Sequence, residues 1–365
     1  MVKSILFRYG IKGKGIVNYD SSEQKNIHNK YDSRFGREKN NNTNYGKKDF
    51  FEDKDGKLYW KIKISSNCLR QNIFQRDAYS QSPSILKDDN ILYSFISSPA
   101  SLLRGYTFVN ASTNLGLKRK SAIEISSATQ TNNSISYIET HCKTGNKDNG
   151  MDDVASDTLF YKETIGDIEY GGEGHIDLMQ LCFISCSQEF DRYSFNPDHF
   201  NLYSKYLKFY LSACGVEVDL KIGNYMIKNS TIKLSEEGIL LPNKVVNVLV
   251  REFFDRLIKL NIRRAGAHAV LSSLEYKLVE DPLEDTISSE KGWVSIKNRH
   301  DIQNINFDMD EFYIESSDED VENTKLKVEE FNERDKKIRS DKKDQKKKKS
   351  SEKSKENNKT EKENA

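Results

Sequence analysis

Two long stretches, residues 20–56 and 126–156, carry neither a helical nor a strand-like apolar period. The first contains Asn40-Asn41-Asn42; the second is rich in Asn, Thr, Ser and Asp. Segments of that length and polarity cannot supply a core, so they read as surface insertions. The flanking text therefore decides the fold. Ser4-Ile5-Leu6-Phe7-Arg8-Tyr9 and Ile16-Val17-Asn18-Tyr19, parted by Gly10, Gly13 and Gly15, read as paired strands with a permissive turn. Leu58-Tyr59-Trp60-Lys61-Ile62-Lys63-Ile64 alternates with a period near two. Ser65, Ser66 or Asn67 then caps a helix carrying Cys68, Leu69, Ile73 and Phe74.

A short helix is expected over 88–98, stopping at Pro99. Strands are expected at 158–161, 167–170 and 175–185, with Gly171-Gly172-Glu173-Gly174 as a hairpin turn rather than a phosphate cradle. Asn196-Pro197-Asp198 marks a helix start, and that helix runs through Tyr203, Tyr206, Leu207 and Tyr210 to Gly215. The longest helix begins near Pro242-Asn243 and carries Val245, Val246, Leu249, Phe253, Leu257 and Leu260. Its last turn holds Arg263 and Arg264, the favourable sign for a helix C-terminus. A strand at 269–279 closes a body spanning 1–315. The mixture is α+β.

Beyond 315 the text changes. Residues 316–335 carry eight acids and three bases, and residues 336–365 carry thirteen bases and six acids. That composition cannot bury a core, so the tail is expected to be disordered. Hydrophobic content is 36 %, below the usual figure of about 45–50 %. No window approaches the roughly 18 apolar residues of a membrane span, and the N-terminus lacks the apolar stretch of a signal peptide. A soluble, cytoplasmic protein without a membrane partner is expected.

Five cysteines argue against a disulfide framework. Cys182 and Cys186 near His175, and His141 beside Cys142, raise a zinc site. Yet there is no CxxC pair, and Cys182 lies in the apolar run Met179–Ile184. No metal and no cofactor is expected. GxxxxGK[ST], HExxH and GxSxG are all missing. Asp152, Asp153 and Asp157 in polar text are better read as an acidic loop than as a cleavage centre. His175 and His268 read as structural.

Charge is segregated inside the nearly neutral body. Residues 2–19, 56–76, 90–123 and 256–274 hold seventeen bases and no acid, interleaved with Phe7, Tyr9, Tyr59, Trp60, Phe74, Tyr106 and Phe108. One such stretch means little, because Lys and Arg snorkel from any surface. Four together favour nucleic acid: cations meet phosphates and rings stack on bases.

Several strings resemble one family together. They are Gly13–Tyr19, Ile64–Phe74, Leu103-Arg104-Gly105-Tyr106 with Lys118-Arg119-Lys120-Ser121, Ser156–Tyr170, and Leu181–Ser185 before Phe190-Asp191-Arg192. In this order they resemble the CRISPR RNA-binding backbone subunit of a type I Cascade complex, in the RAMP superfamily, and most closely the minimal subtype I-F variant. The resemblance spans roughly residues 2–280. It implies a modified RRM-like (ferredoxin-like) palm with inserted fingers and a hairpin thumb. It also implies a non-catalytic subunit of the prokaryotic cytoplasm. Copies would line up in a helical filament along the guide and present it for pairing with target DNA, while other Cascade subunits cap the RNA ends.

By position, the implied RNA contacts are Lys12, Lys14, Asn67, Arg70, Gln71, Arg104, Lys118, Arg119 and Lys120. Phe160, Tyr161 and Lys162 are candidates for a thumb that wedges between bases. Arg263 and Arg264 are explained equally by helix capping. Charge reversal at Lys118 and Arg119 together is expected to release RNA from a native fold. Two other readings stay open. One is an RNA-cleaving, type III-like subunit using Asp20, Asp32, Asp152 or Asp153; the other is an unrelated RNA-binding module dominated by its basic tail.

Overall fold

Strand β1 (Ser4–Lys14) buries every second side chain, Ile5, Phe7, Tyr9 and Ile11, and turns the others outward. In this computed structural model, which describes residues 1–19, 43–52, 54–56, 58–74, 88–110, 115–143, 158–190, 192–264, 266–281 and 285–338, β1 is the central strand. It pairs antiparallel with β11 (Asp167–Asp177) on one side and β16 (Ala267–Val279) on the other. The sheet order is β15 (Asn261–Arg264), β16, β1, β11, β8 (Ala128–Gln130), β4 (Leu58–Ile64), β3 (Lys48–Glu52). Strands β7 (Ile123–Ile125) and β17 (Val294–Ser295) add to β11 and β16.

The helix Asn243–Ile258 covers the buried face. Its Val246, Leu249, Val250, Phe253 and Leu257 recur at helical spacing, and the Phe253 ring lies 5.2 Å from that of Phe7. The helix Ser66–Phe74 packs beside it through Leu69, Ile73 and Phe74. Three smaller sheets stand off this frame. They are β2 (Thr43–Asn44) with β10 (Thr158–Ile165) and β9 (Ser136–Lys143); β12 (Phe183–Ser185), β14 (Glu236–Leu240), β13 (Gly223–Ile227) and β18 (Tyr313–Glu315); and the hairpin β5 (Tyr106–Asn110) with β6 (Leu115–Arg119). The described residues form an α+β fold with antiparallel central pairing.

Several expectations are corrected. The opening text is one strand, not a hairpin: β1 runs through Gly10 and Gly13 and turns only at Gly15, where φ is 74° and a Cβ would meet that of Ala267 at 2.8 Å. Gly171, Gly172 and Gly174 lie inside β11, because the rings of Tyr9 and Phe7 lie over Gly172 and Gly174 and leave no room for a Cβ. Residues 175–185 are strand, helix and strand; Asp177 accepts a bond from the Gln180 N–H and starts the helix Leu178–Cys182. A second helix, Pro99–Arg104, begins at Pro99, where the first was expected to stop.

The insertions hold structure where they are described. Strands β2 and β3 fall in 20–56, and β8 and β9 in 126–156; residues 20–42 and 144–157 lie outside the described residues. Lys48 explains how so polar a segment is anchored. Its Nζ is 2.8 Å from Glu163 of β10, both side chains are buried, and the ring of Trp60 lies 4.1 Å from the same nitrogen. Glu163 also accepts from Ser136 Oγ (2.5 Å) and the Gly46 N–H (3.0 Å). Breaking one side of such a pair costs about 3–5 kcal/mol.

Nor does order stop at 315. A helix covers 318–338, with Thr324 buried and its Oγ1 accepting from the Ser235 N–H at 2.8 Å. Disorder from 316 is therefore corrected as far as 338; residues 339–365 lie outside the described residues. Among the described residues no helix is long and apolar enough to cross a membrane, and no His, Cys, Asp and Glu cluster could hold a metal. Cys68, Cys182, Cys186 and Cys214 are free thiols. Asp20, Asp32, Asp152 and Asp153 lie outside the described residues, as do the side chains of His141 and Cys142.

Candidate nucleic-acid interface

At one end of the central sheet three adjacent strands line up exposed basic side chains. Lys14 of β1 sits opposite His268 of β16, and His268 sits opposite Arg263 of β15. Cross-strand neighbours are about 5 Å apart, so the row is a short cationic bar. One residue pair further along β1, Lys12 is exposed and paired with Glu169 at 3.0 Å. Arg263 and Arg264 are not in a helical turn: the helix ends at Ile258 and both belong to β15. Capping therefore no longer accounts for them.

The sheet end continues around Gly15 into a second group. Two cations approach the Tyr19 ring, Lys162 Nζ at 5.4 Å and Arg264 Cζ at 5.6 Å from its centroid. Burial pushes the Tyr19 hydroxyl up to about 12, with the nearby Glu163 adding to the shift. Cys68, in the first turn of the Ser66 helix, is raised by burial, while Arg264 and Lys47 pull it the other way. Both cations are thus close to the start of that helix, whose dipole also favours an anion. Asn67 and Gln71 are exposed on the helix.

Arg70 turns inward. It donates from Nη2 to the Arg104 carbonyl (2.6 Å) and from Nη1 to that of Ile123 (3.2 Å), and burial with the Arg104 charge nearby lowers its pKa. It ties the helix to the Arg104–Lys120 region rather than facing solvent. Lys120 is exposed there, and Lys118 is half-buried in β6 opposite Thr107.

Arg119 is a correction. Its side chain is 2 % exposed, and its guanidinium donates to the carbonyls of Leu102 (3.2 Å), Phe183 (2.8 Å), Gln180 (3.1 Å) and Leu181 (3.2 Å). With four of its five N–H groups on core carbonyls and its side chain buried, the guanidinium is out of reach of a phosphate. Reversing its charge would break the fold, so the double reversal with Lys118 cannot leave a native protein. Phe160 and Tyr161 lie on β10, Phe160 opposite His141 and Tyr161 between Thr140 and Thr43; their side chains are outside the described residues.

Other cations of the acid-free stretches are spent internally. Arg8 pairs with Glu275 at 2.5 Å, Arg256 with Glu252 at 2.8 Å, and Lys63 with Asp49. What stays together is the row Lys14, His268 and Arg263, with Arg264 and Lys162 beside Tyr19. Tyr19, Lys47 and His268 were missed from sequence. Tyr19 could have been found as the last aromatic of the first acid-free stretch. His268 was read as structural, and the structure instead leaves it exposed between Lys14 and Arg263.

An α+β body with a row of basic side chains at one sheet end, and two cations beside an aromatic ring, fits a protein that binds a polyanion. The chain belongs to the family described as "Type I-Fv CRISPR-associated protein Cas7fv-like", whose model matches residues 1–282. The resemblance to the type I Cascade backbone family is borne out, and the chain is a CRISPR RNA-binding backbone subunit of a Cascade-like complex. A comparison with curated proteins finds no match. Among solved structures, a chain of "CRISPR RNA-guided surveillance complex, pre-nicking" is similar at 7 % identity and a TM-score of 0.34, over 76 % of this chain and 79 % of that one.

Proposed function

We propose that the sheet end carries the guide RNA. Its backbone would run along Lys14, His268, Arg263 and Arg264, with Asn67, Gln71, Arg104 and Lys120 continuing the track beyond the Ser66 helix. The observation that carries this is that Lys162 and Arg264 both approach the Tyr19 ring. Two cations held beside one aromatic ring place two phosphate partners next to each other. The order β16–β1–β11–β8, with the Ser66 and Asn243 helices on one face, supports an RRM-like palm. The β2–β10–β9 sheet is our thumb, locked to the palm by Lys48 and Glu163.

In this reading the subunit is non-catalytic and cytoplasmic. Protein contacts fix the RNA backbone, copies follow one another along it, and base pairing with target DNA reads the sequence, the division of labour of RNA-guided systems. Lys162→Glu with Arg264→Glu tests the track. The log–log salt slope of RNA binding should fall by about 1.4, two contacts at about 0.7 each for single strands, with the circular dichroism spectrum unchanged. An unchanged slope would remove both residues from the interface.

A further inference from the structure

Glu163 stands where separate stretches of the chain meet. It follows Lys162 directly on β10, so the two side chains leave the strand on opposite faces. The Glu163 side chain is fully buried, and both of its carboxylate oxygens are engaged. One lies 2.8 Å from Lys48 Nζ and accepts from Ser136 Oγ (2.5 Å); the other accepts from the Gly46 N–H (3.0 Å). The Glu163 backbone carbonyl accepts from the Tyr19 hydroxyl at 3.4 Å.

These contacts reach two members of the group at the sheet end. Gly46 bridges to Tyr19, and the Lys47 N–H donates to the Asn18 carbonyl at 2.9 Å, so a fixed Gly46 fixes the segment that carries Tyr19. Lys162 sits opposite Asn44 of the same inserted segment. Arg264 approaches the Tyr19 ring from β15, which pairs with β16 instead. The carboxylate suits its place because three donors converge on it: an ammonium, a hydroxyl and an amide N–H. A glutamine there would turn its own NH2 toward one of them, donor against donor.

We propose that Glu163 is a positioning residue for guide binding: its buried carboxylate fixes Lys162 and Tyr19 relative to one another without itself touching RNA. The inference rests on the reading that the guide runs past Lys162 and Arg264, and it names what holds Lys162 in place there.

The test measures the log–log salt slope of the full chain binding single-stranded RNA. Lys162→Ala should lower the slope by about 0.7, the value of one contact. Glu163→Gln should lower it by the same amount, and Lys162→Ala added to Glu163→Gln should lower it no further. Arg264→Ala added to Glu163→Gln should bring the fall to about 1.4. A general loss of stability would not single out Lys162 in this way. Lys48→Met with Glu163→Gln leaves no unpaired charge inside, and it is read by the same slopes if the single variant loses its native circular dichroism. Glu163→Gln at the wild-type slope, or a fall that adds in full to that of Lys162→Ala, overturns the proposal. So does loss of the native spectrum in both Glu163 variants, which would make the residue a requirement of the whole fold. The two readings separate at Lys162→Ala. A wild-type slope there overturns the guide track and this inference with it; a lowered slope there beside an unchanged one in Glu163→Gln overturns this inference alone.

Discussion

Arg119 and Arg264 belong to equally basic stretches of sequence, and the fold gives them opposite tasks. Arg119 is spent on four backbone carbonyls that close the ends of two short helices around it, so burial lowers its pKa without any carboxylate partner. Arg264 lies on an exposed edge strand against Tyr19. Arg119→Met should therefore lower unfolding stability by about 3–5 kcal/mol in urea melts, since each buried carbonyl left without a donor costs about 1–3 kcal/mol. Arg119→Lys should recover little, because an ammonium cannot replace the planar fork. A melt within 1 kcal/mol of wild type, against that range, would show the core does not depend on it. Charge counting cannot separate two such arginines. The signal that could have done so was β6 itself: Leu117 and Arg119 share one strand face, and Leu117 is buried.

Elements with a clean apolar period were legible: β4, the Ser66 helix, the start of the Phe200 helix at Asn196-Pro197, and the Asn243 helix. Elements fixed by distant partners were not. β3 depends on Lys48 reaching Glu163, far along the chain, and β11 keeps its glycines because rings from β1 fill the space. The C-terminal segment is the largest case. Past residue 282 the polar text hides Ile296, Ile302, Ile305 and Phe307, all buried. Asn247 fixes Phe307 through both its N–H (3.0 Å) and its carbonyl (2.9 Å). Trp293 lies over Arg8, and the Nζ of buried Lys277 is 3.4 Å from Asp285. A chain ending at 282 should lose its near-UV circular dichroism, while one ending at 338 should keep it. A native spectrum from the shorter chain would reduce 285–338 to an appendage.

For the whole molecule, near-neutral net charge conceals two faces. Among the described residues, Lys14, Arg263 and Arg264 lie together at the end of the central sheet, and residues 316–335 carry eight acids against three bases. Segregation of charge was legible from sequence; where it would gather was not, because that depends on β1, β16 and β15 lying side by side. Of the residues implied by the resemblance, Lys162 and Arg264 approach Tyr19, Lys14 and Arg263 flank His268 in the strand row, Arg70 becomes a strut, and Arg119 enters the core. In the proposed reading the guide is held by its backbone, so the RNA's length is set by the complex rather than by chance capture. The direct test is to purify the full chain from cells carrying a CRISPR array and size the RNA that remains bound. The account predicts a single narrow length class that disappears in the Lys162→Glu, Arg264→Glu variant while the protein stays folded. Heterogeneous RNA in the wild type, or the same narrow class in the variant, would contradict it.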